Sequence, residues 1–220
     1  IKAKVPNTEV IYTLGCNHTE NFLMKDLGQC VTSEKGNGLK SEFFNNTEFK
    51  GEPVYSGLAK ELHYTTGGNT QFAPNVNLTD FSARFTGEFT SPQSGDIEFT
   101  ISGNDGFRLF IGEEKVAESW TNEYGSTQKY TLKAEEGKKY PIKIEYMQAK
   151  GSADLNFSIA VRTPVDYQAT ANEVKDADVI IFVGGISPRL EGEEMPVDAE
   201  GLKKGDRLNI VIPTVQKEMV

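Results

Sequence analysis

Nowhere in the sequence do about 18 apolar residues run together; the longest apolar stretch, Val179 to Val183, has the length of a buried strand. That excludes a membrane-spanning helix. Positive charge is also scarce: 23 Lys and Arg face 32 Asp and Glu, for a formal charge of -9. Affinity for phosphates and anionic lipid is driven by Lys and Arg displacing counterions, so nucleic acid and membrane are excluded as partners, and neutral ligands such as sugars remain. Cysteine is nearly absent, with only Cys16 and Cys30 in 220 residues, which excludes a disulfide-dense scaffold. Their spacing lacks the C-x-x-C or Cys/His pattern of a zinc site, and His18 and His63 have no companions for a triad or a metal set. No metal and no cofactor is expected. The cysteines could pair if the protein is exported.

Ile1 opens the chain without an initiator Met or a signal peptide, and Val220 closes it soon after a helix-start signal at Pro213. The expectation is a piece of a longer protein.

What is abundant is alternation. Between about Gly38 and Arg162, apolar residues recur every second position, interrupted by Gly, Asn and Pro turns. Ile97, Phe99 and Ile101 alternate with Glu98 and Thr100; Phe107, Leu109 and Ile111 follow; then Ile142, Ile144 and Tyr146; then Leu155, Phe157, Ile159 and Val161. Such runs predict antiparallel strands with one buried face, hence a β-sandwich. Outside that block, 167–177 reads as a short helix. Asp178–Gly184 reads as a strand apolar on both faces, as in a helix-covered parallel sheet, and Val10–Leu14 as another. The fold class expected is mainly β: an antiparallel sandwich over 36–165 inserted in a partial α/β sandwich domain, whose parts are 1–35 and 166–220. Insertion is tolerated because the ends of a compact domain lie close together.

The central block resembles the protective-antigen-type β-sandwich inserted in many glycosidases, adhesins and toxins. The residues that carry the resemblance run Gly38-Leu-Lys-Ser-Glu-Phe-Phe44, Phe81-Ser-Ala-Arg-Phe-Thr-Gly87, Ser94 through Gly112, Val116-Ala-Glu-Ser-Trp120, and Tyr140 through Tyr146. The flanks resemble the C-terminal α/β domain of glycoside hydrolase family 3, through Gly15-Cys16, Ala177 through Met195, Gly205-Asp-Arg207, Ile212-Pro213 and Gln216-Lys-Glu218. Together the two resemblances imply a section of an exo-acting retaining β-glucosidase or β-xylosidase, periplasmic or secreted, with an oligosaccharide or β-glycoside as substrate and a sandwich that shapes or caps the outer substrate subsites; the alternatives are that the sandwich is an autonomous carbohydrate-binding module tethering the longer protein to polysaccharide, or a structural spacer.

Retaining glycosidases need two carboxylates about 5–5.5 Å apart, one a nucleophile and one an acid/base. In the resembled family the nucleophilic Asp lies on a barrel domain outside this sequence, which the present chain would contact, and the acid/base Glu comes from a loop of the C-terminal domain. Matching through Gly185-Ile-Ser-Pro-Arg-Leu190 puts Glu193 in that role, with Glu191 as the alternative, because Pro196 and Val197 stand where relatives have Asp-Arg. By itself, an acidic run such as Glu191-Gly-Glu-Glu194 is ordinarily a solvated turn. In the sandwich, Asn104-Asp105 occupies the place where adhesin relatives hold calcium with two Asp residues; with one carboxylate gone and Gly106 following, a turn is expected there. Trp120 is assigned to the core, and Tyr124 is a candidate for stacking on a sugar ring.

Overall fold

The computed structural model describes residues 2–120, 124–188, 190–192 and 197–220. The chain divides into two compact units, residues 25–162 and residues 1–24 with 163–220.

The larger unit is built from short antiparallel strands. In chain order the strands are β1 (Phe22–Asp26), β2 (Val31–Ser33), β3 (Gly36–Asn37), β4 (Leu39–Phe44), β5 (Tyr55–Ala59), β6 (Leu62–Thr65), β7 (Phe81–Thr90), β8 (Gly95–Asn104), β9 (Gly106–Ile111), β10 (Glu114–Ser119), β11 (Ser126–Ala134), β12 (Lys139–Gln148) and β13 (Asp154–Pro164), of which β1 up to Met24 and β13 from Thr163 fall in the smaller unit. One sheet runs β1-β13-β8-β11, with β6 also on β13. The other runs β10-β9-β12-β7-β2-β3, with β4 on β7 and β5 on β4.

The alternating residues meet between the sheets. From the first sheet come Ile97, Phe99, Ile101, Leu155 and Ile159, and from the second Phe85, Phe89, Phe107, Leu109, Ile144 and Tyr146, all at most 1% exposed. Aromatic rings dominate this layer. Phe85 meets Phe43 edge-on with centroids 5.7 Å apart, and Phe89 meets Phe99 edge-on at 5.6 Å, the arrangement that aromatic quadrupoles favour. Gly112 turns β9 into β10 with a φ of +63°, a conformation that costs a residue with a Cβ.

The opposite faces are charged. The register of five neighbouring strands lines up Glu42, Arg84, Glu145, Arg108 and Glu118 in one row of alternating sign. Arg108 lies 2.7 Å from Glu118 and 3.7 Å from Glu145; solvent screens such surface pairs, so they add little to stability. On the other sheet, burial pushes the Glu98 carboxyl up, but hydrogen bonds and charge from Lys129 and Arg162 outweigh it and hold the group below the ordinary carboxylate range.

The smaller unit contains α1 (Tyr167–Val174), capped by the Asp166 side chain, which accepts from Ala169 N at 2.8 Å. It also contains a small sheet of β14 (Asp198–Ala199), β15 (Leu202–Lys203) and β16 (Asp206–Arg207), and the helix α2 (Thr214–Met219) after Pro213. Here two expectations are corrected. Neither 10–14 nor 178–184 belongs to a sheet, and their side chains are exposed: Tyr12 82%, Val179 75%, Ile181 65%, Val183 88%. A strand apolar on both faces is stable only with hydrogen-bonded neighbours and cover on each side, and among the described residues no strand pairs with either segment. No helix among the described residues is long and apolar enough to cross a membrane.

Candidate functional site

The smaller unit builds its acidic loop on a turn at Gly184 and Gly185. The side-chain amide of Gln216, 3% exposed, grips that turn: its Oε1 accepts from Gly185 N at 2.7 Å, and its Nε2 donates to Gly185 O and His18 O, each at 2.6 Å. A Cβ on Gly184 would lie 2.3 Å from the Phe182 ring and 2.8 Å from Gln216 Oε1, so the turn is shaped around that amide. Past Leu190 the chain is held against the small sheet, with Gly192 N on Gly205 O at 3.2 Å and Gly205 N on Val197 O at 2.9 Å. Glu191 is exposed, and its Oε1 lies 3.7 Å from Arg207 Nε. Glu193 and Glu194 lie outside the described residues. Glu200 receives Thr214 N at 2.8 Å and the Thr214 hydroxyl at 2.7 Å, which ties the start of α2 to the sheet that braces the loop and holds the Glu200 carboxyl below its ordinary range.

The sequence singled out Gln216 only as one of the residues that carry the resemblance of the flanks, with no role of its own; a buried amide that bonds distant backbone leaves no periodic signal. Leaving a buried polar group unpaired costs about 1–3 kcal/mol. Gln216→Leu should therefore speed hydrogen exchange at the Gly185 amide by about tenfold or more. Unchanged exchange would mean that the clamp does not hold the turn.

In the larger unit, the peptide bond between Asn104 and Asp105 is cis. Asp105 is 5% exposed, and its Oδ2 accepts from Ala149 N at 2.8 Å and Lys150 N at 3.0 Å. Asn104 donates to Ser152 O at 2.9 Å and accepts from Asp154 N at 2.8 Å. Beside them the buried Tyr146 hydroxyl lies 2.6 Å from Gln148 Oε1, and burial together with Asp105 and Asp154 pushes its phenol far up. These side chains brace the 148–154 loop. Among the described residues no group of three or more His, Cys, Asp or Glu could hold a metal ion.

Trp120 corrects another expectation. It is half-buried and stands outside the core, with the Arg108 guanidinium 3.8 Å from its ring centre and Phe49 stacked at 6.5 Å. It shares its parity with Glu118, which faces outward, so the alternation itself carried the signal. Tyr124 is 98% exposed. Cys16 and Cys30 are free, and burial pushes both thiols up. His18 and His63 are both exposed.

Two packed antiparallel sheets with flanking segments that form a second unit define an all-β module of the sandwich class. The PA14 domain model matches residues 35–176, more than half of the chain, and the chain belongs to that family. It is 35% identical over 226 residues to a xylan 1,4-β-xylosidase of Xylanibacter ruminicola, an alignment that takes in 100% of this chain and 26% of that protein. A β-glucosidase of Rhizobium radiobacter is 26% identical over 238 residues, again covering 100% of this chain and 26% of the relative. The chain thus spans about a quarter of the length of these relatives. Among solved structures, an anti-sigma factor domain-containing protein from Clostridium clariflavum shares the fold with a TM-score of 0.53 at 23% identity, over 61% of this chain and 48% of that one.

Proposed function

We infer that the chain is a section of an exo-acting retaining β-glycosidase that cleaves β-glucosides or β-xylosides. The observation that carries this reading is an alignment running the whole length of the chain, both units included, to a xylosidase at 35% identity. In this reading 1–35 and 166–220 are parts of one α/β domain, 36–165 is the insert, and Glu193 on the acidic loop is the acid/base, with Glu191 as the alternative. The sandwich shapes the outer substrate subsites. The nucleophile comes from a barrel domain elsewhere in the longer protein, which is periplasmic or secreted.

Two features support the reading. The described residues on either side of the acidic stretch are hydrogen-bonded within the smaller unit, Gly185 to Gln216, and Gly192 and Val197 to Gly205. The exposed apolar segments at 10–14 and 179–183, joined by Leu208, Ile210, Val211 and Ile212 at 50–89% exposure, have the character of central strands awaiting neighbours from an α/β sheet.

The test compares the 220-residue chain with the longer protein on aryl β-xylosides and β-glucosides. The chain alone should give no turnover above buffer, because an acid/base without a nucleophile has no covalent route to the retained product. Turnover by the chain, with contaminants removed, would refute placing the nucleophile elsewhere.

A further inference from the structure

The outward face of the second sheet has no part in the roles above. Strands β5, β4, β7, β12, β9 and β10 stand side by side in it. Their register sets one outward residue from each in a row, in the order Ser56, Glu42, Arg84, Glu145, Arg108 and Glu118. Arg84 is the incomplete member of this row. Its guanidinium lies 5.8 Å from the ring centre of Phe44 and 5.3 Å from that of Phe49, and among the described residues it has no carboxylate within ion-pair distance. Phe49 takes a φ of +58°, a strained conformation for a bulky residue, and stacks on Trp120. The rings therefore hold a half-buried guanidinium in place with its hydrogen-bond donors unused.

We propose that two copies of this chain associate face to face through this surface, around a twofold axis parallel to the strands and lying between β7 and β12. Such an axis reverses the row. It sets Arg84 opposite Glu145 of the second copy, Glu42 opposite Arg108, and Ser56 opposite Glu118, each contact made twice. Every charge then meets its opposite or a hydroxyl. The row on one side obeys the same reversal, since Lys40, Lys143 and Lys115 meet Phe110, Thr86 and Leu58. On the other side Val54, 39% exposed, meets the half-buried Trp120.

Other axes oppose like charges. An axis on β12 would face Arg84 with Arg108, one on β7 would face Glu42 with Glu145, and one along the row would face each charge with its own copy. The three lysines also offset the three glutamates, so repulsion between two chains of charge -9 is weak across this face. Six strands about 4.8 Å apart, each in contact over about 20 Å, give about 600 Å² a side. That is the low end of specific interfaces, and the dimer should be weak, with a micromolar Kd.

The proposal stands on the sandwich and does not rest on the glycosidase reading. Sedimentation equilibrium of the 220-residue chain should show a reversible monomer and dimer between micromolar and millimolar concentration. Trp120 is the single tryptophan, so its emission should move to shorter wavelength as the dimer forms. Arg84→Glu and Glu145→Arg should each weaken association by about tenfold or more. Mixed in equal amounts they should restore it, because every contact then joins unlike charges. Ser56 is exposed at the edge of the sheet and can be changed without disturbing the core. Ser56→Arg, facing Glu118, should tighten the dimer, and Ser56→Glu should loosen it. The proposal fails if the chain stays monomeric at millimolar concentration, or if the two Ser56 variants associate alike. It also fails if Arg84→Glu associates as tightly as the parent, which would put the contact on another surface, such as the exposed apolar segments of the smaller unit. Cooperative thermal melts show that each variant folds, and two folded charge variants that stay monomeric when mixed would also overturn it.

Discussion

Glu193→Ala in the longer protein should slow hydrolysis of substrates with poor leaving groups by about 10²–10⁴-fold, the range a positioned general acid supplies. Activated aryl glycosides should be far less affected in their first step, because such leaving groups depart without protonation. Their turnover would then stall at the glycosyl-enzyme, which no longer has a base to activate water. Added azide needs no base, so it should restore turnover and yield a β-glycosyl azide of retained configuration. Glu194→Ala should show neither behaviour. If Glu191→Ala shows the leaving-group dependence and the azide rescue while Glu193→Ala keeps near-normal rates on poor leaving groups, the acid/base is Glu191. In that event the contact between Glu191 Oε1 and Arg207, 3.7 Å long, would belong to the catalytic loop itself.

The second large effect is on stability. Phe85 is 0% exposed, edge-on to Phe43 at 5.7 Å and tilted against Tyr64 at 5.8 Å. Phe85→Ala removes a full ring from a layer made of rings, and such truncations cost about 3–5 kcal/mol through lost burial plus the cavity left behind. Against a typical total of about 5–15 kcal/mol, that is a shift readily seen in the urea midpoint of the larger unit at an unchanged slope. A loss below about 1 kcal/mol would show that the neighbouring rings collapse into the space, or that Phe85 is not central to the core. Removing an exposed aromatic such as Tyr124, 98% exposed, should leave the midpoint within about 0.5 kcal/mol.

The acidic loop and the sandwich differ in how much of each could be read in advance. The strands over 97–101, 107–111, 142–146 and 155–161 stand where the alternation puts them; the second helix follows its signal at Pro213, and the first starts at Tyr167 as expected but ends at Val174, short of 177. The same alternation, followed two residues past Glu118, also places Trp120 outside the core, although its size and apolarity point the other way. The run 179–183 misleads for a different reason. An apolar pentapeptide specifies that it can be buried, while burial itself depends on neighbours the run does not encode, and these residues are 43–88% exposed.

Inward and outward parity is a property of adjacent residues, so the strands over 97–101, 107–111, 142–146 and 155–161 and the core side chains they carry could be read from the chain alone. Parity says nothing about which strand lies beside which. His63 and Asn156, 93 positions apart, meet only because β6 and β13 pair in one register. Gln216 reaches Gly185 and His18 only because α2 returns across 31 and 198 positions of chain. Long-range pairing is settled by the joint packing of the whole core, in which a slip of one residue would turn every buried ring of a strand to solvent. The meeting of His63 with Asn156 and the hold of Gln216 on Gly185 were therefore decided by packing between distant parts of the chain.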